Sequence, residues 1–572
     1  RSCSLIHLMC RAFAAVLAFA VFGATSSAEQ ASLRPNVVVI LADDMGFSDL
    51  GCYGSRIQTP HLDGLAHGGL RMTNFYNTAR CWPTRAALLT GYYAQQVGFD
   101  SLPEEPERGL PSTGRVRRQR PGWAPLLPDR IRSAGYRSYH SGKWHLDGLP
   151  IAKGFDASYV LKDQQRFFSP TVHYLDDQKL PAVELGEGFY GTTAIADHAL
   201  KVLKEHQEYR SDQPFFHFVA FTAPHFPLHA LPEDIKKYEG VFDEGWNVAR
   251  SRRSKFLRES GIVTGRLSDM EPVGPPYDFP DQVAQFGSGE VVIPRPWDEL
   301  SEQQKSFQAD KMEVHAAMVD RMDQEIGRIL NQLRRMRAMQ NTLIIFLSDN
   351  GGSAELMVRG DGHDPELEPG SAGTHLCLGP GWSSAANTPF RRHKTWVHEG
   401  GCHTPMIVHW PAGIRDEVRQ RSQGFHSGLG HVIDIVPTIL ELAGAPPMAA
   451  DTAVEDGSGE GEPSRAPSPP GRSFAGVFRG DDLPSRSLWW CHEGNRAFRR
   501  GRFKLVAAAE EPWELYDLSN DPAETNDLSS SHHEKVVELS KAWMDLADEM
   551  RELQPAGGTE PSRRVNKRAR KR

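Results

Sequence analysis

Two short, continuous apolar runs place the strongest limits on how this chain can fold. Residues 36–41 read Asn-Val-Val-Val-Ile-Leu, and residues 343–347 read Leu-Ile-Ile-Phe-Leu. Such runs suit central strands of a sheet that helices cover on both faces. Between them, residues 311–336 carry apolar side chains at helical spacing. This alternation predicts an α/β fold with a large mixed, mostly parallel sheet flanked by helices.

Both apolar runs lead into acidic and amide residues. Asp43 and Asp44 follow the first run, and Asp349 and Asn350 follow the second. In open α/β sheets, ligands bind beyond the carboxyl ends of the strands, so these side chains can meet in one crevice. Three carboxylates repel one another unless a cation is present, and oxygen ligands suit Ca²⁺ or Mg²⁺. Taken separately, each pair also fits helix N-caps or turns.

A change in composition divides the chain of 572 residues. Residues 446–471 are rich in Pro, Gly, Ser and acidic residues, which indicates a loop or linker. We therefore predict a catalytic α/β domain at 34–445 and a smaller C-terminal α+β subdomain at 472–552. The basic residues of 553–572 predict a solvated, disordered tail, which could also attract an acidic polysaccharide.

The C-terminal subdomain is predicted to contain an antiparallel sheet and a helix. Residues 496–506 and 513–518 have the composition of short strands. Apolar residues from Val536 to Met550 recur on one face of a helix.

The N-terminal residues resemble an export signal. Basic residues precede an apolar run at 12–22, and small residues lead up to Ala28. The run is too short to span a bilayer, so we predict a signal peptide at 1–28 and no stable membrane insertion, with a membrane anchor as the alternative. The expected location is the periplasm or the extracellular space.

Charge and cysteine content narrow the function further. The formal net charge of -8 gives no overall electrostatic footprint for nucleic acid, so we expect no nucleic-acid partner. Seven cysteines are present, of which two fall within the predicted signal. The odd remainder of five does not suggest a dense disulfide framework, and it leaves one cysteine for another use.

One of these cysteines begins a specific motif. Residues 81–91 read Cys-Trp-Pro-Thr-Arg-Ala-Ala-Leu-Leu-Thr-Gly. This segment resembles the C-x-P-x-R maturation signal of type I sulfatases together with the L-L-T-G that follows it in that family. The resemblance identifies the chain as an arylsulfatase-like, formylglycine-dependent member of the alkaline phosphatase superfamily. It therefore implies a sulfuric ester hydrolase.

Further segments extend the resemblance from about residue 34 to residue 528. They are Gly-Lys-Trp-His-Leu at 142–146, Thr-Ala-Pro-His-Phe-Pro at 222–227, the lysine-bearing segment 387–401 and Trp-Glu-Leu-Tyr-Asp-Leu at 513–518. Two positions depart from the usual pattern. Thr84 stands where serine is common, at a position whose residue the motif does not specify. His403 stands where many relatives have Arg or Ser.

The resemblance implies a particular nucleophile and cofactor. A formylglycine-generating maturation enzyme would oxidise Cys81 to formylglycine, whose hydrate oxygen attacks sulfur while bound to Ca²⁺. An aldehyde hydrate can then expel sulfate by re-forming its carbonyl. The implied metal ligands are Asp43, Asp44, Cys81 in its modified form, Asp349 and Asn350.

The remaining implied roles concern charge and protons. Arg85, Lys143 and Lys394 would meet the charge that builds on the sulfuryl oxygens. On an extended segment Lys143 and His145 would point to the same face, where His145 can orient the hydrate and remove its second proton. His225, on a proline-flanked loop, would protonate the departing alcohol. Each of these residues taken alone would more often be a surface or packing residue.

We therefore expect hydrolysis of aryl or carbohydrate sulfate esters to an alcohol and inorganic sulfate. The substrate would be a sulfated small molecule or polysaccharide. One alternative is a phosphonate or phosphate ester hydrolase of the same superfamily. A second is an inactive protein that binds sulfated glycans, in which Cys81 stays unmodified.

Overall fold

The computed structural model describes residues 34–102, 120–450, 453–454 and 464–553. The predicted signal peptide and all of the predicted tail except Leu553 lie outside the described residues. Within them, no helix combines the length and apolar character that a bilayer span requires.

A ten-stranded sheet forms the centre of the fold. From one edge to the other, its strands are β11 (Phe425–His426), β2 (Leu70–Met72), β10 (Met406–His409), β9 (Thr342–Ser348), β1 (Asn36–Ala42), β8 (Phe215–Ala220), β4 (Arg137–Gly142), β5 (Ala157–Leu161), β6 (His173–Leu175) and β7 (Gln178–Lys179). The five strands from β9 to β5 run parallel, whereas β10, β6 and β7 pair antiparallel with their neighbours. The predicted mixed, mostly parallel sheet is confirmed.

Helices cover both faces of this sheet. The helices that precede the C-terminal sheet in the described residues are α1 (Pro60–Gly68), α2 (Cys81–Thr90), α3 (Leu127–Ile131), α4 (Gly191–Tyr209), α5 (Pro232–Ile235), α6 (Gly245–Glu259), α7 (Pro280–Val283), α8 (Glu302–Arg335), α9 (Gly379–Ala386), α10 (Glu399–Cys402), α11 (Asp416–Gln420) and α12 (Ile435–Ala443). Alternate residues of β1 enter different cores: Val38 and Ile40 pack on one face, and Val37 and Val39 on the other. This two-sided burial explains why the run is apolar at every position.

The longest helix is α8, which extends the predicted helix at its N-terminal end. Ser301 caps it, since its side chain accepts a hydrogen bond from the Gln304 backbone N–H while the Gln304 side chain accepts one from the Ser301 N–H. Its apolar face is buried from Met312 to Leu333 against the same core as Val38. Helix α4 packs beside it.

A four-stranded antiparallel sheet follows, built from β15 (Ser487–His492), β16 (Asn495–Arg500), β17 (Phe503–Ala507) and β18 (Glu514–Asp517), with helix α13 (His533–Glu552) against it. Residues 496–506, expected to be one strand, form two strands joined by a turn. Gly501 makes this turn possible, because it adopts a left-handed φ of 59°. Strand β15 was not among the strands predicted from the sequence.

The C-terminal sheet shares a buried core with the ten-stranded sheet. Trp489 and Trp543 belong to the same buried core as Val37 and Val39. The indole N–H of Trp490 donates to the Asn77 carbonyl oxygen at 2.8 Å. Two small sheets complete the described structure, β3 (Phe75–Tyr76) with β12 (Gly430–His431) and β13 (Ala453–Val454) with β14 (Ser464–Arg465).

Candidate active site

The acidic residues after β1 and β9 meet because the two strands are parallel neighbours. Ala42 pairs with Ser348 at the end of the ladder, so the residues that follow emerge side by side. Asn350 Nδ2 donates to Asp44 Oδ1 at 2.8 Å, and the Asp44 backbone N–H donates to Asp349 Oδ1 at 3.3 Å. Asp43 completes the group, and all four side chains are buried. The predicted convergence of the two strand ends therefore occurs.

Cys81 is the first residue of α2 and is 3% exposed. Two other residues of its motif hold the helix against the end of β9. The Thr84 hydroxyl donates to the Asp349 carbonyl oxygen at 2.6 Å. Arg85 donates to Asp349 Oδ2 from Nη2 at 2.8 Å and from Nε at 3.2 Å, and its Nη1 donates to the Lys143 carbonyl oxygen. The motif thus fixes Cys81 beside the carboxylates.

Lys143 and His145 follow strand β4. Lys143 Nζ lies 2.6 Å from Asp43 Oδ2. The extended segment expected for these two residues is not present, because β4 ends at Gly142 and His145 adopts a left-handed φ of 60°. The half-buried His145 ring contacts the Trp82 ring edge-on, with centroids 5.7 Å apart. His145 therefore lies beside the residue that follows Cys81.

His225 belongs to the loop after β8. Its Nε2 lies 3.6 Å from Asp44 Oδ2 and 3.4 Å from Lys394 Nζ. Its Nδ1 contacts the carbonyl oxygen of Phe226, which fixes a proton on Nδ1. One ligand atom each from Asp43, Asp44 and His225 lie within 4.8 Å of one another.

Lys394 is buried between two carboxylates. Its Nζ lies 2.8 Å from Asp44 Oδ2 and 2.7 Å from Glu355 Oε2. Glu355 also accepts a hydrogen bond from Arg80 Nη1 at 3.0 Å. Neither Glu355 nor Arg80 was among the site residues predicted from the sequence. A buried lysine requires a counter-charge, but no sequence pattern indicates which acidic residue supplies it.

Burial and neighbouring charges shift the ionisation of these groups. Burial raises the pKa of Asp349 to about 7, and the charge of Asp43 adds to this effect despite Arg85. Burial also acts to raise the pKa of Asp43, but Lys143, His225 and Arg85 outweigh it and lower that pKa. Burial raises the pKa of the Cys81 thiol. An unmodified Cys81 is therefore a poor thiolate nucleophile.

The donor atoms fit a hard cation. Asp43 Oδ1 and Asn350 Oδ1 are buried and have no hydrogen-bond partner among the described residues. Carboxylate and amide oxygens are the ligands that Ca²⁺ prefers. Basic side chains offset part of the carboxylate repulsion, and the charge of Asp43 still adds to the burial that raises the pKa of Asp349.

Taken together, the mixed sheet and the buried polar site at its carboxyl edge define an enzyme of the alkaline phosphatase-like fold. The sequence model of the family described as Sulfatase matches residues 35–445, and the chain belongs to this sulfatase family. It is a sulfuric ester hydrolase.

Relatives match most of the chain. An uncharacterized sulfatase of Schizosaccharomyces pombe is 31% identical, over 90% of this chain and 93% of the relative's length. An arylsulfatase of Klebsiella aerogenes is 30% identical and covers 76% of this chain and 92% of its own. A crystal structure named Ps i-CgsB, in complex with k-i-k-neocarrahexaose, has a TM-score of 0.58 at 23% identity and covers 90% of this chain and 92% of its own.

Proposed function

We propose that this chain hydrolyses carbohydrate or aryl sulfate esters with a formylglycine made from Cys81 and a Ca²⁺ ion. The observation that carries this proposal is the position of Cys81. It begins a helix that Thr84 and Arg85 attach to the end of β9, where Asp349 and Asn350 meet Asp43 and Asp44.

Maturation changes the chemistry of Cys81. Conversion of its CH₂–SH group to an aldehyde consumes water, releases H₂S and passes two electrons and two protons to an oxidant, and it requires a maturation enzyme. The hydrated aldehyde supplies a hydroxyl that displaces the alcohol from sulfur, and sulfate then leaves as the carbonyl re-forms. Because the buried thiol has a raised pKa, conversion also removes a group that ionises poorly.

Calcium, held by Asp43, Asp44, Asp349, Asn350 and modified Cys81, would supply Lewis-acid polarisation of the nucleophile and the sulfate ester. Arg85 serves these ligands by positioning rather than by contact with substrate, because its donors point to Asp349 and to the Lys143 carbonyl oxygen. Lys143 orients Asp43 in the same way.

Lys394 is the cation best placed to bind the sulfuryl group. It lies between Asp44 and Glu355 and next to His225, so it joins the ligand group to the leaving-group loop. Fixed cations in a buried site stabilise charge in the transition state more strongly than the same cations in water.

His225 is the proposed general acid. The Phe226 carbonyl oxygen requires a proton on Nδ1, so Nε2 carries the proton that is exchanged. His145 would remove the second proton of the hydrate when sulfate leaves.

Support for a carbohydrate substrate comes from the likeness to Ps i-CgsB, which was solved with a neocarrahexaose. Export to the periplasm or the extracellular space, based on residues 1–28, would bring the enzyme to such polymers.

Mass spectrometry of active enzyme tests the proposal. Trypsin cleaves after Arg80 and Arg85 and isolates residue 81 on a short peptide. We expect the aldehyde or its hydrate there, and we expect Cys81→Ala to abolish turnover of 4-nitrophenyl sulfate. A fully active preparation that contains only the thiol would contradict the proposed nucleophile. Turnover of phosphate or phosphonate esters above that of sulfate esters would favour the alternative hydrolase.

A further inference from the structure

A polar cleft lies next to the active site, and we call it the Arg359 cleft. It is a shallow recess that is open to solvent, and it is lined by Gln165, Arg166, Ser169, His229, Arg359 and His375 among others. None of these side chains belongs to the site described above.

One aromatic ring connects the cleft with the reaction centre. The Phe226 ring stacks on the His225 ring with centroids 4.3 Å apart, and Lys394 Nζ lies 5.4 Å from the Phe226 centroid. Against the same ring lie the guanidinium carbon of Arg359 at 5.8 Å and the His375 ring at 6.2 Å. A ligand in the cleft is therefore one side chain away from the sulfate-binding lysine.

Arg359 supplies a cation that the protein does not neutralise. Its side chain is exposed, and in the described part of the chain no carboxylate lies within ion-pair distance of it. Arg166, the other arginine of the cleft, contacts Asp361 and lies 3.7 Å from Asp163. The charge of Arg166 is thus compensated within the protein, whereas Arg359 can take an external anion.

The two histidines add hydrogen-bonding atoms. His229 Nε2 lies 2.7 Å from the Thr374 carbonyl oxygen and must donate to it, so a neutral ring keeps a lone pair on Nδ1. His229 Nδ1 is buried and has no hydrogen-bond partner among the described residues, and the same is true of His375 Nε2. Buried polar atoms usually have a partner. A hydroxyl group, of a sugar or of water, can donate to His229 Nδ1.

We propose that the Arg359 cleft binds a second anionic group of the substrate, either a further sulfate or a uronate carboxylate. The preferred substrates are then carbohydrates with several anionic groups. Lys394 Nζ and the Arg359 guanidinium carbon are at most about 11 Å apart, because they lie 5.4 Å and 5.8 Å from the same ring centroid. One or two sugar residues can bridge this span. The inference rests on the proposed sulfatase function.

The test compares matched substrates. We would measure kcat/KM for a sugar 6-sulfate, for the same sugar with a second sulfate, for a sulfated disaccharide that contains a uronate, and for 4-nitrophenyl sulfate. Wild-type enzyme should prefer the substrates with a second anion. Arg359→Gln should reduce that preference roughly tenfold, in line with a lost charge-assisted hydrogen bond. Its kcat/KM for 4-nitrophenyl sulfate should change by less than about twofold, because this substrate has one anion.

A control variant and salt identify the cause. Arg266 is exposed and pairs with Asp269, so Arg266→Gln should alter no substrate preference. Added salt should weaken the wild-type preference and leave Arg359→Gln unaffected, since salt screens exposed charges. Turnover of 4-nitrophenyl sulfate without any preference, or with the same preference in Arg359→Gln, would overturn the subsite alone. Turnover of no sulfate ester would overturn the proposed function as well.

Discussion

Lys394 and Glu355 form a buried ion pair in which Nζ and Oε2 are 2.7 Å apart. Asp44 on the other side of the ammonium and Arg80 on the other side of the carboxylate extend this pair into a network. Asp44 and Glu355 together raise the pKa of Lys394 and outweigh the effect of burial. Lys394 is therefore held as a cation, and Glu355 positions it.

Replacement of Glu355 tests this arrangement. Glu355→Gln keeps an acceptor oxygen but removes the charge. We therefore expect kcat/KM to fall about 10- to 100-fold, as happens when residues that position the ligands of a metal site are replaced. Glu355→Ala should also lower the free energy of unfolding by about 3–5 kcal/mol, because it leaves buried cations unpaired. As a control, Asp545→Asn breaks the exposed pair with Lys541 and should change neither quantity. Wild-type kinetics in Glu355→Gln would contradict the positioning role.

Metal analysis tests the calcium ligands. Wild-type enzyme should contain about one Ca²⁺ per chain, and Asp349→Ala should lose both the ion and the activity, because Asp349 carries a carboxylate from the end of β9 into the site. Asp323→Asn is a matched control. Asp323 is also a buried carboxylate, but it accepts hydrogen bonds from the backbone of α1. This variant should keep calcium. Stoichiometric zinc in the wild type, or calcium in Asp349→Ala, would rule out the proposed site.

The leaving-group dependence of the rate tests His225. A poor leaving alcohol needs a proton as its bond breaks, whereas a stabilised phenolate does not. His225→Ala should therefore reduce turnover of sugar or alkyl sulfates far more than turnover of nitrophenyl sulfates. Cys81→Ala should reduce both alike, because the nucleophile is needed in each case. An equal loss across the series for His225→Ala would assign the proton to another donor, with Lys394 or His145 as the next candidates.

A buried histidine cluster should make the fold sensitive to acid. Ser141 Oγ lies 2.8 Å from His198 Nδ1 and 2.9 Å from His217 Nε2. Burial lowers the pKa of His198 to about 3, and Lys201 adds to this effect. Burial, together with His198 and His140, lowers the pKa of His217 well below its ordinary value. These rings are neutral when folded, so protons bind the unfolded chain first as pH falls below about 6.5.

Thermal unfolding between pH 5 and 8 measures the effect. His198 alone should cost about 2 kcal/mol of folding free energy on going from pH 7 to pH 5. Buried carboxylates with raised pKa values, such as Asp323 at about 7, act in the opposite direction. We therefore compare the change in Tm with pH between wild type and a variant. His198→Asn should lose less Tm than wild type as the pH falls to 5. His67→Gln, at an exposed position, should follow wild type. Parallel curves for wild type and His198→Asn would contradict this prediction.

Sequence alone was sufficient for the central architecture. The apolar runs at 36–41 and 343–347 are central strands of the sheet, as their composition predicts, because strands covered on both faces are apolar at every position. The structure also makes them parallel neighbours. The residues that follow them must then share one edge. The Cys81 motif further identified the family, which the match over residues 35–445 confirms.

The tertiary structure decided which charges meet. Arg85 was expected at the sulfuryl oxygens, but its guanidinium donates to Asp349, one of the proposed calcium ligands. Glu355 lies 39 positions from Lys394 and belongs to no recognised motif, yet its carboxylate forms an ion pair with the Lys394 ammonium. Local patterns of spacing determine strands and helices. Ion pairing in a buried site depends on distances of a few ångströms between segments far apart in the chain, and only the folded structure fixes those distances.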